Sequence, residues 1–231
     1  METLMPLTRF CHSKSIRATL CSLILAALWL TPAYADAPDA ERFVAAFGEV
    51  GIPERLDYQG TLALAERLGW RKIVPGEDAE TDRFVANARE QIEEAGEDGD
   101  FAFEVEMEVF DRTIEGRRYL LSVDLALTDF IDLLGCLIYD FAATESIDAE
   151  TVTRLLGQPI AYTTLGGDPN YAVDPSKLVS TVWGPAPRLP RTLDTSLSFV
   201  PVGSPIAAQT GFTGLVLKFS TSLPSWEERN R

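Results

Sequence analysis

Residues 101–127 read FAFEVEMEVFDRTIEGRRYLLSVDLAL. Phe101, Phe103, Val105, Met107 and Val109 alternate with Ala102, Glu104, Glu106 and Glu108. That period of two places apolar side chains on one strand face and carboxylates on the other. Glu115-Gly116 marks a turn, after which Tyr119, Leu121, Val123, Leu125 and Leu127 resume the alternation. The stretch therefore predicts a hairpin with one dry face. A two-residue loop at Glu115-Gly116 would set Val105 opposite Ala126, dry face against wet. A three-residue loop at 115–117, or one bulge, sets Val105 opposite Leu127 and Met107 opposite Leu125, and is the expected register.

Upstream, the period changes to that of helices. Ala40, Phe43, Val44 and Phe47 share one helical face, ending at Gly48 and Gly51-Ile52-Pro53. A second helix is expected over 60–69, with Leu64 and Leu68 one turn apart. A third is expected over 78–95, where the Asp78 carboxylate can accept from free N–H groups of the first turn. Downstream, the apolar run at 133–141 (LLGCLIYDF) reads as a central strand, and 148–156 as a helix closed by Gly157 and Pro159. Strands are expected over 160–165, 178–183, 193–200 and 212–219, the last two joined by a Gly/Pro loop. The predicted class is α+β: N-terminal helices packed on a mainly antiparallel β-sheet, with one further helix near 148–156. A complete β-sandwich with peripheral helices is the alternative.

The first 35 residues read as an export signal. Arg9, Lys14 and Arg17 precede an uncharged run from Ala18 to Leu30, Pro32 breaks it, and Ala33-Tyr34-Ala35 supplies a small-x-small cleavage site. Cleavage after Ala35 and a periplasmic or secreted location are expected. The domain division expected is 1–35 as signal, 36–100 as a helical region and 101–231 as a strand-rich region forming one domain with the helices. No later stretch reads as a bilayer span, because 119–143 carries Asp124, Asp129, Asp132 and Asp140.

Cleavage would remove the single His, His12, together with Cys11 and Cys21. A chain lacking His builds no Ser-His-Asp or Cys-His centre and no His-containing zinc site. Cys136, alone among apolar neighbours, reads as a buried structural thiol. No cofactor is expected. The whole chain has 20 basic and 35 acidic residues. Losing Arg9, Lys14, Arg17 and Glu2 leaves 17 and 34. That balance disfavours nucleic acid and anionic lipid, which reward Lys/Arg clusters, and the partner expected is a cationic protein or a small molecule, with no nucleic acid.

The candidate sites are few. Glu104, Glu106 and Glu108 share a strand face, ~6–7 Å apart by strand rise, and form an acidic interaction surface. Trp183, Arg188 and Arg191, beside Pro185, Pro187 and Pro190, form a possible partner-contacting rim. Asp168, Asn170 and Asp174 offer hard oxygen ligands, but the loop lacks the central Gly and distal Glu of a full calcium motif. The function expected is non-catalytic binding in the cell envelope. The alternative is a carboxylate-based hydrolase, whose mark would be two acidic groups about 5–10 Å apart across a deep pocket.

Overall fold

The computed structural model describes residues 37–98, 103–165, 170 and 172–224. The expected export segment (1–35), Asp168 and Trp226 lie outside the described residues. Helix α1 (Ala40–Gly51) starts where the Asp39 carboxylate accepts from the Arg42 N–H, and it buries Phe43, Val44, Phe47 and Val50. Helix α2 (Tyr58–Arg67) buries Tyr58, Thr61 and Ala65. A two-residue strand, β1 (Arg71–Lys72), precedes helix α3 (Ala79–Asp98). Asp78 caps α3 as expected: one carboxylate oxygen accepts from the Glu80 N–H at 3.1 Å, the other from the Thr81 hydroxyl at 2.6 Å. The helix continues past Ala95 to Asp98.

Strands β2 (Phe103–Ile114) and β3 (Arg117–Thr128) form the hairpin, followed by β4 (Asp132–Asp140), α4 (Glu150–Leu156), β5 (Ile160–Thr163), β6 (Val179–Trp183), β7 (Thr192–Val200), α5 (Pro205–Thr210) and β8 (Gly214–Ser222). The eight strands make one antiparallel sheet in the order β1-β2-β3-β4-β8-β7-β6-β5. The 133–141 run is thus a central strand. Helix α5 occupies the segment expected to be a Gly/Pro loop. Its first turn is set by Ser204, whose hydroxyl accepts from the Ala207 N–H, followed by Pro205.

The hairpin register differs from the expected one. Glu115 and Gly116 take φ of 47° and 83°, the tight two-residue turn whose twist matches paired strands. Val105 therefore sits opposite Ala126, Glu106 opposite Leu125 and Met107 opposite Asp124. The expected register assumed one dry and one wet sheet face. Here helices cover both. Interior strand β3 turns Tyr119, Leu121, Val123 and Leu125 to the α1/α2 side and Leu120, Ser122, Asp124 and Ala126 to the α3 side, while β2, next to the edge, buries Val109 on one face and Phe110 on the other.

Helices α1, α2 and α4 cover one face. Phe43 packs on Tyr119 with ring centroids 5.8 Å apart, and Phe47 meets Phe219 edge-on at 6.0 Å. Phe110, Leu121, Leu134, Ile138, Leu215 and Leu217 complete this core. Each such large side chain contributes ~1.5–3 kcal/mol by burial. At its margin the buried Asp140 carboxylate pairs with Arg117 at 2.6 Å. Gly214 has φ +108°, and a Cβ there would lie 2.3 Å from the Asp140 carbonyl oxygen. The opposite face carries a second cluster in which Phe84 of α3 meets Tyr139, Phe141 and Phe212 at centroid distances of 4.9, 5.6 and 6.5 Å. Arg118 fixes α3 to this face, donating to Asp78 at 2.6 Å and to Asp111 at 3.0 Å.

Candidate ligand cleft

The aromatic cluster anchors only the first half of α3. Between α3 and the sheet lies a cleft of about 620 Å³. Ala88, Gln91 and Ile92 form its roof, Thr210 and Phe212 its wall, and the floor comes from β2, β3, β4, β8 and β7. The Gln91 amide donates to the Gln209 carbonyl at 3.3 Å, joining roof to wall.

Strand register fixes the floor. One row runs Met107–Asp124–Gly135, and the next runs Ser122–Leu137–Lys218–Ser196. Most of the lining is apolar, which places Asp124 and Lys218 in a medium that solvates charge poorly. The Ser122 hydroxyl donates to Asp124 Oδ1 at 2.5 Å. Gly135 leaves space beside the other oxygen: a Cβ there would lie 3.6 Å from Asp124 Oδ2. Burial pushes the Asp124 carboxyl up to about 6, against the opposing pull of the Ser122 hydrogen bond and the Lys218 charge. Lys218 is half-buried in the cleft and makes no direct ion pair with Asp124; its charge acts through space.

No family model, curated protein or solved structure matches the chain.

The residues singled out from sequence lie elsewhere. Glu104, Glu106 and Glu108 point to the α1/α2 side of β2, away from the cleft, through the register described above. Glu104 and Glu106 are exposed, while Glu108 pairs with Lys72 at 2.7 Å. Burial, then Glu106 and Glu108, pushes the Tyr58 phenol up to about 12. Neighbouring cations are engaged elsewhere: Arg112 with Glu49, Arg117 with Asp140, and Arg118 with Asp78 and Asp111.

The expected rim is dispersed. Trp183 is fully buried in the α4 side of the core, and its indole N–H donates to the Thr153 hydroxyl at 3.0 Å. Arg188 is exposed, its guanidinium beside the left-handed Gly157 that ends α4. Arg191 has φ +69°, and its carbonyl accepts from the Ser222 N–H at 2.9 Å.

In the proposed metal loop, Asp174 accepts from the Ser176 N–H at 2.9 Å and hydroxyl at 2.8 Å. The Ser176 N–H, then its hydroxyl, lower the Asp174 pKa. This is a turn-stabilising arrangement. Asn170 is exposed. Among the described residues no three His, Cys, Asp or Glu side chains are grouped to hold a metal ion. Cys136 is a free, fully buried thiol whose pKa burial raises. Likewise, no described helix is long and apolar enough to cross a membrane.

Asp124 was missed because it reads simply as a charge that interrupts a Leu-rich stretch. The available signal was position: Asp124 is the single acid of the strand, at an interior point, in the row of Leu120, Ser122 and Ala126 opposite the apolar row Tyr119, Leu121, Val123 and Leu125.

Proposed function

We propose that the chain is an exported, non-catalytic binding protein that holds a small ligand with an apolar body and a polar head in the cleft under α3. One observation carries the reading: a largely apolar cavity of about 620 Å³ with two charged side chains on its floor. That size lies within the usual range for small-molecule sites, and few convergent polar groups on apolar walls is their usual composition. The export signal in residues 1–35 supports a role in the periplasm or outside the cell. The hydrolase reading has less support. Among the described lining residues Asp124 is the one carboxylate, and Glu104, Glu106 and Glu108 face the other side of the sheet.

The test is occupancy of the cleft. The apolar dye anilinonaphthalene sulfonate should bind saturably at one site per chain with increased fluorescence. Ala88→Trp, which fills the cleft from its roof, should abolish that signal while leaving the far-UV circular dichroism unchanged. Equal dye binding by a folded Ala88→Trp variant would refute the assignment.

A further inference from the structure

Resting on the cleft reading, we infer that the ligand is a small zwitterion with an apolar side chain, of the amino-acid class, its ammonium on Asp124 and its carboxylate on Lys218. The two protein charges have opposite sign, lie in one apolar cleft and do not pair directly. They are two strands apart and offset by two residues, since Asp124 faces Gly135 whereas Lys218 faces Leu137 on the same intervening strand. Their Cα atoms are then roughly 12 Å apart by strand spacing and rise. The floor between them belongs to Gly135, which has no side chain, and Leu137, which supplies an apolar seat.

A ligand with a single charge leaves one protein charge uncompensated. A plain amine would satisfy Asp124 and bring a second cation towards Lys218. A plain carboxylate would satisfy Lys218 and set a second anion towards Asp124. It would also approach a chain with a net charge of −15 and a roof helix whose outer side exposes Glu90, Glu93 and Glu94. A zwitterion is neutral overall, so the long-range field does not repel it. It also meets both charges with groups of opposite sign, and buried charges are retained at least cost when paired. The partners at hand are consistent. Ser122 occupies one Asp124 oxygen and leaves the other, beside Gly135, for an N–H donor. Ser196 lies directly opposite Lys218 and can add a hydroxyl to a carboxylate held there.

The groups facing Asp124 are limited. Lys218 comes from β8 and the Tyr139 phenol from β4, with Met107 of β2, Ser196 of β7 and Gln91 and Ile92 of α3 otherwise lining the cleft. Through the sheet, Cys136 and Tyr58 feel its charge. A ligand ammonium favours the ionised carboxyl, so affinity for a zwitterion must fall as pH drops through about 6. At pH 5 about one-tenth of Asp124 would remain ionised, a loss of about 10-fold relative to pH 7.5. A monoanion would show the opposite trend.

The experiment is calorimetric titration of the protein with three matched probes: L-phenylalanine, phenethylamine and 3-phenylpropanoate. We expect saturable binding of phenylalanine, at least 10-fold tighter than either analogue and about 10-fold weaker at pH 5. Asp124→Asn and Lys218→Met should each weaken it at least 10-fold, with their fold checked by circular dichroism. Selectivity and pH profile of the unmodified protein test the inference even if a variant misfolds. Preferential binding of 3-phenylpropanoate or of phenethylamine would overturn the zwitterion and leave the cleft reading standing. Equal binding by both charge variants would also overturn it. Absence of binding by all three probes would overturn the zwitterion. If the dye also failed, the cleft reading would fall with it.

Discussion

Asp124→Asn should make the folded protein more stable at neutral pH. The Ser122 hydroxyl donates to Asp124 Oδ1 at 2.5 Å, and an asparagine oxygen accepts the same bond, so the substitution removes charge with little change of shape. Burial holds the Asp124 carboxyl at about 6 instead of the ordinary 3.8. Keeping it ionised at pH 7 therefore costs the folded state up to about 3 kcal/mol. The carboxylate is half-buried, and an amide also loses hydration, so the expected net gain is about 1–2 kcal/mol. The sign follows from proton binding. Between pH 3.8 and 6 the folded state binds more protons at this site than the unfolded chain, so the cost grows as pH rises through that window. It is complete above 6 and absent below 3.8. Urea unfolding of both proteins, followed by circular dichroism at pH 7.5 and pH 4, reads the effect. The variant should be more stable at pH 7.5, and the difference should shrink towards zero at pH 4. Burial also raises Asp140, and the Thr81 and Arg118 hydrogen bonds hold Asp78 at about 2, but both act in parent and variant and cancel in the difference. A destabilised variant at pH 7.5, or a gain equal at both pH values, would refute the assignment of Asp124 as a desolvated carboxylate.

The hairpin face offers a second test: changing Glu104, Glu106 and Glu108 together to Gln should alter stability by at most about 1 kcal/mol, since the pair between Glu108 and Lys72 is exposed, and a loss of several kcal/mol in urea unfolding would show these carboxylates to be bonded internally. Phe47→Ala should cost about 3–5 kcal/mol in the same assay, because a fully buried ring against Phe219 leaves a cavity. Gly214→Ala should destabilise by more than about 2 kcal/mol, since its Cβ has no room beside the Asp140 carbonyl; an alanine variant with the parent's melting temperature would show that the turn is not tight. Asp78→Ala should cost about 1–2 kcal/mol through loss of the α3 cap, and measuring it at pH 7 against pH 2 should show the difference diminishing as acid removes the carboxylate from the parent.

Much of the architecture was legible because local chemistry and burial agree in most elements. The Phe43/Phe47 stripe, the Asp78 cap, the Gly157 stop and the alternation at 215–219 each specify an element that the fold contains. Helix α5 was obscured because its sequence, PIAAQT, has Pro at one end and Gly211 just beyond the other, the punctuation of a loop as much as of a short helix. The register failed for a different reason. Alternation specifies which residues share a strand face, but not which face of a neighbouring strand they join when the sheet is covered on both sides. The Glu115-Gly116 turn chemistry was the better guide, because two adjacent positive-φ residues set the strand offset locally.

The same two-sided covering explains why the cleft was not legible. On a sheet with one wet face, an acid in the alternation is a solvated residue. On β3, with helices on either side, Asp124 lies on a covered face of the sheet. Its place there is the cleft between α3 and the sheet. Helix α3 is fixed near its start by Phe84 on Tyr139 and by Arg118 on Asp78, and farther along it lines the cleft with Ala88, Gln91 and Ile92. The neighbouring strand then contributes Gly135 at the level of the carboxylate, whose side-chain-free backbone leaves the oxygen not bonded by Ser122 uncrowded. A desolvated carboxylate sharing a cleft with a lysine, the two making no direct ion pair, is difficult to account for as packing alone. Its removal should stabilise the chain and weaken binding together, the opposed pair of effects expected where a fold keeps a strained group for its ligand.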